Sequence, residues 1–440
     1  MQEASVYTPH RILVTGGAGF IGSHVCAFLL REYPQYRVVC LDSLEPCASL
    51  KNLDAAFEFG GPQPITAAAS ACLDGVSEPL PSLLLDDGAA HGARGEQNRL
   101  QDRSKPPAIN ASSTAPSPAV SLATPVKQAN PSQTLGSLTP PPPRFRFVRG
   151  SIENVQLLQQ LFADEAFDTV LHFAAQSHVD LSFGNSLKFT QTNVLGTHAL
   201  IECARLAGVK RFIHVSTDEV YGATAVGHAH APEEQLPDPT NPYACSKAAA
   251  ELVAKSYMMC FGMPIIITRS NNVYGPGQFP EKVVPKFILR LLRGEKCCLH
   301  GDGSALRTYL HVDDVCAAFD VVLHRGHGGE IYNFGSDDEL SIRDLAKTLV
   351  RQIRPDCDCD EWIEQVDDRL VNDRRYSISS AKLAALGWVP RVGFLAGLQS
   401  TIDWYRQHIL ENHEPYWSDF ELALQPHPTL TSDSNGKNVL

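Results

Sequence analysis

The chain has 440 residues, 43% hydrophobic and 20% charged, with a formal net charge of −12 at pH 7. That is ample for one large or two modest domains, and the acidic balance argues against nucleic acid or an anionic membrane as partner while leaving room for a local basic site for phosphate. No apolar run reaches membrane-spanning length, the stretch MQEASVYTPHRILVTGG lacks the blocks of a secretory signal, and 12 scattered cysteines without a CxxC pair read as free thiols in a reducing cytoplasm, with no metal site expected.

Strand and helix patterns alternate from the start. RILVTG reads as a strand ending in glycine, GSHVCAFLLREY as a helix, and YRVVCLD as a strand ending in an acid. From about residue 54 to 143 the composition changes. This stretch holds 14 of the chain's 30 prolines and only two aromatics, Phe57 and Phe59, too little to offset the entropy of ordering. It reads as a disordered insertion inside a folded domain. Beyond it, FRFVRG is a strand, NVQLLQQLFADE a helix, TVLHFAA a strand and LKFTQTNVLGTHALIECARLAG a long helix. Then come RFIHVST (strand), SKAAAELVAKSYMMCFG (helix) and IIITRS (strand). The alternation predicts an α/β fold, a doubly wound parallel sheet of the Rossmann type. We expect a nucleotide-binding domain over 1–263, with the 54–143 insertion inside it. A smaller C-terminal α/β substrate domain over 264–440 follows, its boundary approximate because the chain crosses over. Ligands of such sheets bind outside the carboxyl ends of the strands.

Three clusters sit at such ends. In 15-TGGAGFIG-22, Gly16, Gly19 and Gly22 follow a strand and open a helix, so that backbone can approach a pyrophosphate at the helix N-terminus. Asp42 ends the next strand, placed for the ribose hydroxyls of NAD and against the extra phosphate of NADP. In 241-NPYACSK-247, Tyr243 and Lys247 share a helix face, and an ammonium near a phenol favours the phenolate, a usable base. In 214-HVSTDEVYG-222, Thr217 precedes two adjacent carboxylates, Asp218 and Glu219, which resist ionising together.

These stretches, with HFAAQSHVD, TNVLGTHAL, RSNNVYGPGQFPEKVVPKF, RTYLHVDD and NDRRY, resemble the extended short-chain dehydrogenases/reductases. Within them they resemble the nucleoside-diphosphate-glucose 4,6-dehydratases, whose strand end reads Thr-Asp-Glu where related epimerases and decarboxylases differ. The likeness runs from about residue 11 to 425, the insertion excepted. It implies that NAD is retained and that dTDP-glucose or UDP-glucose is the substrate. In that reading Tyr243 with Lys247 takes the O4 proton, Thr217 binds O4, Glu219 removes the C5 proton and Asp218 protonates the departing O6. It implies cofactor contacts at Gly16, Gly19, Phe20, Ile21, Gly22, Asp42, Ser43, Ser151, Ile152, Ala174, Ala175, Thr192, Tyr243 and Lys247. Substrate contacts are implied at Ser177, His178, Thr217, Asn272, Lys282, Val283, Arg307, Asn372 and Arg375. Two positions depart from the family pattern: Ser151 stands where an Asp usually contacts adenine, and Ser43 where Lys is frequent. The resemblance also implies a homodimer, built on the helices LKFTQTNVLGTHALIECARLAG and SKAAAELVAKSYMMCF.

Overall fold

The computed structural model describes residues 6–61, 143–225, 230–412, 415–417 and 420–426. Its strands are β1 (Arg11–Thr15), β2 (Arg37–Asp42), β3 (Phe145–Arg149), β4 (Thr169–His172), β5 (Arg211–Thr217), β6 (Ile265–Ser270), β7 (Asn272–Tyr274), β8 (Cys297–His300), β9 (Leu306–His311), β10 (Ile331–Phe334), β11 (Glu339–Ser341) and β12 (Ile363–Val366). A seven-stranded sheet has the order β10-β6-β5-β4-β1-β2-β3, every pair parallel. The expected doubly wound parallel sheet is therefore present. The strand order reverses between β1 and β4, which opens a crevice at their carboxyl ends. β7, β9 and β11 form a second sheet, and β8 with β12 a third.

The strands of the large sheet are apolar on both sides because both faces are covered. Side chains alternate between faces. Ile12 and Val14 of β1 enter one core with Phe319 and Val322 of the helix Val312–Arg325. Leu13 enters the opposite core with Val170, Phe212 and Ile265. A third core gathers Phe287, Ile288 and Leu291 with Leu345, Leu349 and Trp417 around the smaller sheets. β6 and β10, both beyond residue 263, belong to the large sheet.

The first residues of the stretch expected to be disordered are helical. Asp54–Gly60 form a helix, with Ala56 buried and the Phe57 ring edge-on to Phe145 at 4.9 Å. Two aromatics and one small residue suffice to dock it on the strand that resumes at Phe145. Residues 62–142 lie outside the described residues.

The helix Pro242–Phe261 is placed with particular care. Asn241 caps it, its Oδ1 accepting from the Ala244 amide at 2.9 Å, with proline at the first helical position. Gly262 closes it at φ +62°. At its centre Glu251 accepts two hydrogen bonds from Arg269 of β6, Nε to Oε1 at 2.9 Å and Nη2 to Oε2 at 2.5 Å, both side chains fully buried. The guanidinium also lies 4.4 Å from the Tyr221 ring centroid. Removing one partner strands the other as an unpaired buried charge. Arg269→Met alone is expected to lower stability by about 3–5 kcal/mol in urea titration, and Arg269→Met with Glu251→Leu to recover much of the loss. Equal losses in the single and double variants would contradict this account.

Candidate active site

The crevice at the switch point is a cavity of ≈ 320 Å³. The glycine loop forms one wall. Gly16 has φ +69°, and a Cβ there would meet the Ala174 amide nitrogen at 2.5 Å. A Cβ on Gly22 would sit 2.4 Å from the Gly16 carbonyl oxygen. Only glycine fits either position, and the helix Phe20–Glu32 starts with no side-chain cap. Its free amides thus face the cavity, the arrangement that receives a pyrophosphate. Asp42 accepts from the Ala18 and Leu44 amides, at 2.9 and 2.8 Å, which fixes its orientation. With the Gly19 amide also acting on it, the carboxylate still has lone-pair capacity left for a ribose hydroxyl. The residues present therefore fit the expected dinucleotide.

All fourteen expected cofactor positions line this one cavity, from Gly16 through Asp42, Ser43, Ser151 and Ile152 to Ala174, Ala175, Thr192 and Lys247. Ser151 Oγ accepts from the Glu153 amide at 3.1 Å, which leaves its O–H to donate. Glu153 also lines the cavity and accepts from Thr192 Oγ1 at 2.6 Å, a carboxylate beside the site that sequence reading had not singled out.

The acid pair sits where β5 ends. Thr217 Oγ1 donates to Asp218 Oδ1 at 3.2 Å, and Asn271 Nδ2 donates to Asp218 Oδ2 at 2.7 Å. Glu219 Oε2 accepts from Asn241 Nδ2 at 2.9 Å, so the residue that caps the helix of Tyr243 also holds a carboxylate. Burial, followed by the charge of Glu219, pushes Asp218 up to about 7. Burial also raises Glu219, but Asn241 and the cations Lys282, Arg307 and Arg369 pull it back. Both carboxyls are thus raised, Asp218 to about 7 and Glu219 with its cations and Asn241 opposing the rise. Tyr243 is pushed up by burial and by Glu219, opposed by a hydrogen bond with Thr217. Burial brings Lys247 down to about 8, with Glu251 one helical turn away working against it.

Of the expected substrate residues, Ser177, His178, Thr217, Asn272, Lys282 and Val283 line the main cavity. Arg307 and Asn372 line an adjoining cavity of ≈ 140 Å³, which shares Glu219, Asn272, Glu281, Lys282 and Val283 with the first. Arg307 is anchored by the Asp373 carbonyl at 2.9 Å and by Asn372 Oδ1 at 3.2 Å, above the Tyr376 ring. Arg375 is not brought to either lining. It is buried, and its Nε donates to Glu339 Oε1 at 2.7 Å. Sequence reading missed Asn241, Asn271, Glu281, Arg369 and Lys286, all in these linings. Glu281 was within reach, since it adjoins Lys282 in the quoted FPEK stretch. His178 Nδ1 lies 3.0 Å from Glu281 Oε2. Burial alone would lower His178, but Glu281 and Cys47 override it and lift it to about 9.

The raised Asp218 makes a stability prediction with a defined sign. Its unfolded value is the ordinary 3.8 and its folded value about 7, so the fold holds an extra proton between these values. Stability is therefore lost as pH rises through that window. Asp218→Asn removes the penalty and should stabilise the ligand-free protein by about 2–4 kcal/mol at pH 8. The gain should shrink toward pH 5. Thermal melts at both pH values give the answer, and an equal gain at each would count against a proton-bearing Asp218.

Comparison with known proteins follows the same lines. Residues 126–401 match the family described as GDP-mannose 4,6 dehydratase, and residues 12–71 the NAD dependent epimerase/dehydratase family. The chain is 38% identical over 421 residues to a human dTDP-D-glucose 4,6-dehydratase, covering 95% of each. It is also 38% identical over 436 residues to an Arabidopsis thaliana trifunctional UDP-glucose 4,6-dehydratase/UDP-4-keto-6-deoxy-D-glucose 3,5-epimerase/UDP-4-keto-L-rhamnose-reductase, covering 98% of this chain and 51% of that protein. The chain thus spans about half the length of its plant relatives. Among solved structures, a dTDP-glucose 4,6-dehydratase from Streptomyces venezuelae with NAD and TYD bound superposes with a TM-score of 0.68 at 34% identity, covering 93% of this chain and 99% of that one.

Proposed function

The chain belongs to the sugar-nucleotide 4,6-dehydratases of the NAD-dependent epimerase/dehydratase family, and we propose that it is an NAD-dependent hydro-lyase that converts dTDP-glucose to its 4-keto-6-deoxy product. The observation that carries the reading is the unequal carboxyl pair: Asp218, raised to about 7, beside a Glu219 steadied by Asn241 and three cations. Elimination of water needs a base and an acid at one spot, and two neighbouring carboxyls in different surroundings supply both. The Gly16–Gly22 cradle and Asp42 would hold NAD, which would supply a reversible hydride acceptor. Tyr243 takes the proton of the C4 hydroxyl, with Lys247 nearby to favour the phenolate. Thr217 hydrogen-bonds that oxygen. Once C4 is a ketone, the C5 proton is acidic and Glu219 removes it. Asp218 delivers its proton to O6, and water departs. Arg307, with Lys282 and Asn272, lines the adjoining space, where a cationic fork suits a diphosphate.

UDP-glucose is the second reading, because the plant relatives whose names include UDP-glucose 4,6-dehydratase match 98% of this chain. We place cofactor binding chiefly in residues 1–263 and substrate binding in 264–440, and the protein in the cytoplasm. The eleven described cysteines are all free, which suits a reducing compartment. Among the described residues no helix is long and apolar enough to cross a membrane.

Purified protein incubated with dTDP-glucose and UDP-glucose in parallel should convert one of them, with loss of one water by mass spectrometry and a C6 methyl doublet by NMR, and no net NADH. Asp218→Asn and Glu219→Gln should each lower kcat by about 10²–10⁴-fold. Absence of turnover on both sugars with NAD bound would overturn the assignment.

A homodimer is proposed as well. Leu187, Leu195 and Leu206 are exposed on the helical run from Ser186 to Leu206, as are Leu252, Met259 and Phe261 on Pro242–Phe261. The two runs pack side by side, and a second copy would cover both apolar faces. Light scattering at micromolar concentration should return twice the 48.0 kDa chain mass, and Leu252→Asp should reduce it to the monomer. A monomeric parent protein would end this proposal.

A further inference from the structure

The order of the large sheet is also the order of the cleft. Thr217 ends β5, the glycine loop follows β1, Asp42 ends β2, and residues 150–153 follow β3 at the sheet's edge. The Gly150 amide donates to the Asp42 carbonyl oxygen at 2.9 Å, which ties that last turn to the end of β2. A dinucleotide with its reactive ring by Thr217, its pyrophosphate at the glycine loop and a ribose at Asp42 must carry its purine on past β2, to the turn after β3. Two side chains of that turn line the cavity and offer opposite groups. Ser151 Oγ accepts from the Glu153 amide at 3.1 Å, and its O–H is left to donate. Glu153 Oε1 accepts from Thr192 Oγ1 at 2.6 Å and from Lys188 Nζ at 3.0 Å. Two donors on one oxygen set the direction of the carboxylate. Oε2 accepts from none of the described residues, and a carboxylate oxygen has only acceptor capacity to offer. Ile152, between the two, lines the cavity as well and adds apolar surface for a flat ring.

We propose that Glu153 determines the choice of base in the cofactor: its Oε2 accepts from the exocyclic amino group of adenine, while the Ser151 hydroxyl donates to the adjoining ring nitrogen. This role rests on NAD being the cofactor that the cleft holds. An acceptor beside a donor is the complement of adenine's Watson–Crick edge. It is the wrong pair for hypoxanthine, which has a carbonyl in place of the amino group and an N–H in place of the bare ring nitrogen. The acid that the family pattern has at position 151 is thereby replaced by one from position 153. The competing reading is a surface ion pair, since the Lys188 and Glu153 side chains are 37% and 33% exposed. Such a pair would be indifferent to the base.

Purified protein would be incubated with equal excess concentrations of NAD and nicotinamide hypoxanthine dinucleotide until its bound composition is constant. Unbound nucleotide is then removed by rapid gel filtration and the bound nucleotides are quantified by chromatography. NAD should be retained over the hypoxanthine form by about tenfold. In Glu153→Gln the amide oxygen can still accept from Thr192 while the amide nitrogen turns a donor toward the base, so the ratio should fall to about one or below. Glu153→Ala should bring it to within about threefold of one. A merely structural Glu153 would, on substitution, lower retention of both nucleotides and leave their ratio unchanged. A parent ratio near one, or a tenfold ratio that survives both substitutions, overturns the proposal while NAD binding and the dehydratase reading stand. Retention of neither nucleotide by the parent protein overturns the assignment of NAD, and this role with it.

Discussion

The buried ion pair between Glu251 and Arg269 is the contact on which the site's geometry depends. Arg269 stands on β6, in register with Ser216 of β5, one residue before the Thr217 that starts the acid pair. Glu251 stands on the helix that carries Tyr243 and Lys247. Two charges without water hold only if each satisfies the other, so the pairing admits little sliding. Sliding the helix along β6 would break a bidentate hydrogen bond in a place where no solvent can replace it. The pair thereby fixes how far Tyr243 stands from Thr217. Glu251 serves twice, since it lies one turn from Lys247 and opposes the loss of that ammonium's charge to burial.

A second economy appears at Asn241. Its side-chain oxygen caps the helix, and its amide nitrogen donates to Glu219. One residue therefore ties the start of the helix to the carboxylate expected to act as base. Thr217 does the same on the other side, touching Asp218 and Tyr243. The groups expected to be catalytic are held by their neighbours' hydrogen bonds more than by solvent, which is what allows two adjacent carboxyls to differ in proton affinity.

How much of this was legible in the sequence follows from the range of the interactions. The glycine loop, Asp42, the Tyr243–Lys247 spacing and the Thr217–Glu219 stretch are local patterns, because a turn or one helical face dictates them, and all of them line the cleft. Asn271, Arg369 and Asn241 act on groups 22 to 189 positions away, at Glu219, Asp218 and Asp180, and no local pattern announces such partners. The π-helical stretch Thr190–Gly196, which places Thr192 in the cleft, looks like ordinary helix in sequence, since one extra residue per turn leaves no compositional mark. Composition misled at Asp54–Gly60, where tertiary docking on Phe145 outweighs a weak local preference. Arg375 looked like a diphosphate ligand because a cation in a polar stretch has no visible partner until Glu339 is folded against it.

The division of labour between the carboxyls has a further consequence for how the chain must fold. Asp218 and Glu219 are consecutive residues at one strand end, the first buried and the second partly so. Glu219 is lowered by Asn241, by Lys282 from the stretch after β7 and by Arg369 from beyond β12, while Arg307 of β9 lowers both carboxyls. Without Lys282 and Arg369, Glu219 would lose two of the charges that lower it, and the pair would differ less in proton affinity. The cations that line the adjoining cavity add to a distinction that the hydrogen bonds from Asn241 and Asn271 begin, and they are the groups a diphosphate would also engage. A diphosphate bound there would draw on the same positive charge that lowers Glu219 and so would raise its proton affinity, and in the proposed elimination a stronger base is better suited to removing the C5 proton.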